Sequence, residues 1–163
     1  MGSFGGHALP GSFFFALGLW QTVQSFRRYH RCRNSKGRFK SSTWYPAGSC
    51  CKQLKDFPVE PCVKVLMCLV GFIGTIMHAK NFNEILHDPM NEQHMTMYLF
   101  FGLNGVLEIL THFNLTFSVY INHISLASAY FVEFILFKFH LHGRTGVDNL
   151  LHILLLYVIC ASI

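Results

Sequence analysis

PCVKVLMCLVGFIGTIM, residues 61–77, holds a single charged side chain, Lys64, in an otherwise apolar run. An α-helix rises 1.5 Å per residue, so about 20 mainly apolar residues cross roughly 30 Å of hydrocarbon. The run approaches that length, and Lys64 lies near enough to its start to snorkel its ammonium to the interface. The fold then depends on how many such runs the chain holds.

Four more flank it. Residues 8–26 are long enough, with Pro10 expected in the first helical turn, where a missing N–H is harmless. Residues 95–112 contain Glu108, and residues 115–137 contain Asn122, His123 and Glu133. Residues 149–163 are short for a span, so the chain is expected to stop inside the bilayer. The expectation is an all-α, multi-pass transmembrane helical bundle: one domain over 1–163, with four full spans plus a fifth cut short at the C-terminus.

Composition agrees. Apolar residues make up 52% and charged residues 13%, against about 25% charged in soluble domains. Nine of the thirteen Lys and Arg residues fall between Arg27 and Lys55. This basic loop, 27–57, reads as cytosolic and irregular, which puts the N-terminus on the non-cytosolic side. Lys138 and Arg144 then fall on the outer side, against the trend but outweighed. A juxtamembrane basic loop fits anionic membrane lipid, and no nucleic-acid module surrounds it. The uncharged stretch before Arg27 does not read as a cleavable signal peptide. The cysteine spacing matches neither a zinc site nor a disulfide framework. Asn114-Leu115-Thr116 is a glycosylation sequon that this topology places on the cytosolic side, unmodified.

Ionisable groups inside a membrane are costly and face a bundle interior or a cavity. Glu108, His123, Glu133 and Asp148 are the intramembrane polar residues on this reading. Helical spacing puts His94, Tyr98, Gly105, Glu108 and His112 on one stripe, and His7, Gly11, Gly18, Gln21 and Ser25 on another. Small residues in such a stripe let a second helix approach. His7, His94, His140, His142 and His152 all fall at the non-cytosolic helix ends. Five imidazoles at one level can ligate a metal or haem iron, with Glu133 or Asp148 orienting them, or can relay protons. The alternative is that they serve as interface and packing residues, with no cofactor. No nucleophile elbow, Walker loop, zincin helix or dinucleotide fingerprint is present.

Three stretches carry a family likeness: residues 1–14, MGSFGGHALPGSFF; residues 93–101, QHMTMYLFF; and HLHGR at 140–144 followed by Val147-Asp148 and His152-Ile153-Leu154-Leu155. In this order they resemble the transmembrane protein 45 family, which includes the transmembrane epididymal proteins. The resemblance implies a multi-pass helical protein with no established molecular activity, and its recurring histidines map onto His7, His94, His140, His142 and His152. Residues 31–57 do not match the family, and Glu92 stands where a tryptophan is usual. The final spans and acidic tail of typical members are absent, so the likeness covers their N-terminal part. The expected function is therefore non-enzymatic, through association with membrane proteins or lipid in the secretory or endosomal system or plasma membrane. The alternatives are a metal- or haem-binding membrane protein, or a truncated product without independent activity.

Overall fold

The computed structural model describes residues 4–47, 57–78, 89–115, 118–140 and 146–162. These form five helices: α1 (Phe4–Asn34), α2 (Val59–His78), α3 (Pro89–His112), α4 (Val119–His140) and α5 (Gly146–Ser162). No strand occurs among the described residues. Helices α2 to α5 pack in chain order, each antiparallel to the one before. Lys64 meets Glu108 near one end of α2 and α3, Thr111 meets Asn122 where α3 passes to α4, and Phe137 meets His152 at the opposite end.

Two helices, α2 over Val59–Met77 and α4 over Tyr120–Phe139, are long and apolar enough to cross a membrane, with mean hydropathies of 1.8 and 1.3. Only 28% and 17% of these windows are buried inside the bundle, whereas the core helix of a soluble domain would be mostly buried. The expected four full spans are not matched by composition. Helix α3 carries Asn91, Glu92, Gln93, His94, Asn104 and Glu108, and the apolar part of α5 is short.

Side chains are distributed inside out. Glu108 and Asn104 are among the largest completely buried side chains, each 0% exposed, while Phe15, Leu66, Met77, Ile124 and Phe139 stand out on the helix exteriors. The apolar core is small: Met97, Tyr98, Phe101 and Ala129, flanked by Cys68, Phe72 and Tyr130. Gly105 permits the close approach of α2 and α3. A Cβ there would lie 2.8 Å from Val65 Cγ2 and 3.3 Å from the Pro61 carbonyl.

Two boundaries differ from the sequence reading. Helix α1 does not stop at Phe26 but runs through the arginines to Asn34. Arginine is a good helix former, and no Gly or Pro interrupts the stretch before Gly37. The helix ends in a Schellman turn, with Gly37 N–H donating to Cys32 O at 2.9 Å and Lys36 N–H to Arg33 O at 3.3 Å. Lys36 takes the left-handed conformation, φ 53°. At its other end α1 begins before Pro10, which therefore lies inside the helix and not in its first turn. The link after α3 uses the same motif. Asn114 has φ 56°, and Leu115 N–H donates to Leu110 O at 3.1 Å. Asparagine tolerates that conformation better than most residues. Helix α4 consequently starts at Val119, later than residue 115.

At 31 residues α1 is about 46 Å long, so some 16 Å exceeds a hydrocarbon core. The chain then returns along α1, with Tyr29 and Phe39 in edge contact at 5.9 Å. Residues 42–45 enter the bundle, where Thr43 and Tyr45 are buried. Over residues 27–47 the basic segment is thus partly helical and partly a packed return strap, and residues 48–56 of it lie outside the described residues.

Candidate functional site

The strap and the first turns of α2 and α4 surround a buried polar network. Lys64 sits one turn into α2, on the face toward α3, where only 6% of its side chain is exposed. Its ammonium donates to Glu108 Oε2 at 2.7 Å and Asn104 Oδ1 at 2.9 Å. Asn104 and Glu108 are four residues apart and so share one face of α3. Asn104 Nδ2 passes the chain on to Ser125 Oγ at 2.8 Å and Asn122 O at 3.4 Å, both on α4. Thr111 Oγ1 donates to Asn122 Oδ1 at 3.1 Å. The Thr43 hydroxyl lies beside the Glu108 carboxylate. Lys64 therefore does not snorkel. Its ammonium points inward because a buried carboxylate and an amide oxygen stand opposite it.

A second carboxylate joins α1, α2 and the strap. Glu60, 5% exposed, accepts from Trp20 Nε1, Gln21 Nε2 and the Tyr45 backbone N–H, each at 2.8 Å. Gln21 Nε2 also reaches Thr43 O at 3.0 Å. Three donors on one buried carboxylate replace the water it gives up. Phe14 adds an edge contact to Phe101 at 5.0 Å, the apolar part of α1 docking.

Glu133 lies about 16 Å further along α4 than Asn122. It is 6% exposed, and its Oε2 has no hydrogen-bond partner among the described residues. Tyr98 and Tyr130 are its electrostatic neighbours. Two cavities lie among these elements. One, of about 80 Å³, is mainly apolar and lies between α1 and α2–α4, bordered by Phe14, Leu17, Tyr98 and Phe101, with Lys64 and Gln21 as polar members. The other, of about 180 Å³, is lined by polar and aromatic residues that present mainly apolar atoms to it. It opens at the strap end of the bundle between Ser42, Thr43, Trp44, Thr111, His112, Asn122 and His123.

The polar stripe expected on the third segment is present. Tyr98, Gly105 and Glu108 are buried, with His94 and His112 half-buried at its ends. The stripe on the first segment is different, because Gly11 and Gly18 are exposed and no atom lies within 4 Å of a Cβ built on either. Among the outer histidines, His152 is buried and stacks on Phe137 at 5.6 Å. His142 lies outside the described residues, as do the side chains of His7, His140 and Asp148. Among the described residues no three His, Cys, Asp or Glu side chains group to hold a metal. His123 lines the larger of these two cavities.

The sequence reading passed over Asn104, Ser125, Glu60 and Thr43. Asn104 carried a signal, its i,i+4 relation to Glu108. The strap residues carried none, since nothing local says that Thr43 turns inward. The chain matches no protein-family model.

Proposed function

We propose that this chain is a multi-pass integral membrane protein whose helices α1 to α4 span the bilayer, with α5 entering it. It acts without catalysis, through association with membrane proteins or lipid, and its likeness to the transmembrane protein 45 family belongs to the same proposal. The observation that carries the reading is the inside-out arrangement: Glu108 and Asn104 fully enclosed, and Met77 and Phe15 respectively 80% and 74% exposed. In water this would uncover apolar surface on every helix at about 25 cal/mol per Å². In hydrocarbon it is the favoured arrangement, because polar side chains turn inward and pair. The buried networks fix helix register, and neither offers a nucleophile activated by a base.

The basic segment sets the orientation, with residues 27–47 cytosolic and the N-terminus outside. Glycosylation mapping tests it. An acceptor sequon introduced between residues 79 and 88 should be modified in microsomes, whereas one introduced near Lys36 and the native Asn114 sequon should not. An endoglycosidase-sensitive mass shift abolished by Asn114→Gln would invert the topology.

A further inference from the structure

We propose that the cavity at the strap end of the bundle binds the phosphate-bearing headgroup of an anionic phospholipid. The proposal rests on the membrane reading above, which puts this cavity at the cytosolic surface. Its walls are the strap, the last turn of α3 and the first turn of α4. The volume is about 180 Å³, and among the described residues no carboxylate lines it. Trp44, His112, Asn122 and His123 are among its lining residues, while the hydroxyls of Thr43 and Thr111 are already engaged with Glu108, Leu107 and Asn122. His123 is half-buried and holds no hydrogen bond among the described residues, so its ring N–H is available to an acceptor entering the cavity.

Charge favours an anion. Seven Lys and Arg residues lie between Arg27 and Lys40, and no Asp or Glu precedes Asp56. The Tyr29–Phe39 contact folds the strap along the protruding end of α1. Arg38 and Lys40 lead directly into Ser42 at the cavity wall. Each basic residue near an anionic surface adds attraction, and a phosphate accepts several charge-assisted bonds at once.

The surroundings of the cavity separate a lipid from a soluble phosphate. Phe113, Leu115, Tyr120 and Ile124, on the elements that form it, are 56%, 53%, 77% and 64% exposed. A headgroup in the cavity leaves its acyl chains against these side chains. A free phosphate leaves them uncovered.

Trp44 reports occupancy directly, because the only other tryptophan, Trp20, is engaged with Glu60. The full chain in mild detergent is titrated with short-chain phosphatidylinositol phosphate, short-chain phosphatidylcholine and soluble inositol phosphate, and its fluorescence is followed. The inositol lipid should give a saturable change that is lost in Trp44→Phe. His123→Ala should weaken binding about tenfold, the effect of one lost bond to a charged acceptor. Arg38→Ala/Lys40→Ala should weaken it and flatten its salt dependence, while Lys138→Ala at the opposite end should leave it unchanged. No saturable response, or an equal response to phosphatidylcholine, would overturn the site. Equal affinity for soluble inositol phosphate would overturn the lipid assignment. Resistance of the same protein to alkaline carbonate separates failure of this inference from failure of the membrane reading.

Discussion

Replacing Lys64 with methionine should destabilise the folded bundle by about 3–5 kcal/mol, the usual result of removing one partner from a buried ion pair. Glu108 is 0% exposed and its contact with Lys64 is 2.7 Å, so no water is at hand to take the place of the ammonium. Asn104 Oδ1 loses a donor at the same time. The double variant Lys64→Met/Glu108→Leu should recover most of the loss, because a well-packed apolar pair replaces an ion pair at little net cost. The residual deficit, about 1 kcal/mol, belongs to Asn104. Unfolding in mixed micelles measures all three proteins. A single substitution costing under about 1 kcal/mol would mean that the ammonium reaches water, as the snorkelling expectation had it.

Glu60→Ala should be the second severe change, costing about 3 kcal/mol or more. It leaves the Trp20 and Gln21 side chains and the Tyr45 N–H without their acceptor at once, and each stranded donor costs about 1–3 kcal/mol. The effect is local as well as global. With the Tyr45 anchor gone, the strap should leave the bundle, and trypsin should cut at Lys36, Arg38 and Lys40 much faster than in the parent protein. Glu60→Gln keeps one acceptor oxygen and should fall between the two. Unchanged proteolysis in Glu60→Ala would show that the strap is held by something other than this carboxylate.

Both expectations rest on residues that the sequence only half revealed. The apolar windows predicted where helices lie, because a run such as residues 61–77 is long and apolar enough to form one continuous helix. They did not predict where α1 ends, since Arg27 to Asn34 is polar by composition yet helical by propensity. Nor did they give the direction of Lys64. One turn from a helix start, the interface and the interior are equally within reach of a four-carbon stem, and the choice is made by Asn104 and Glu108 on a helix about 40 residues away. The stripe through Tyr98, Gly105 and Glu108 was legible because it needs only the 3.6-residue period. The strap was not, because Thr43 and Tyr45 are held by Gln21 and Glu60, contacts with no local sequence pattern.

The histidines show the same division. Periodicity and topology put His94 and His152 at one end of the bundle, and they lie there, His94 in the second turn of α3 and His152 in the second turn of α5. Convergence on a ligand is a matter of ångströms that neither periodicity nor depth supplies. The ring of His152 packs on Phe137, as a core histidine does.

The inside-out distribution of side chains is the centre of this account, and alkaline carbonate extraction tests it most directly. High pH releases proteins held to a membrane by charge or by partners, and leaves those whose apolar helix faces lie in lipid. The protein should remain entirely in the membrane pellet and dissolve only when detergent is added. Recovery in the carbonate supernatant would contradict the bundle as a membrane structure, and with it the orientation and the headgroup site.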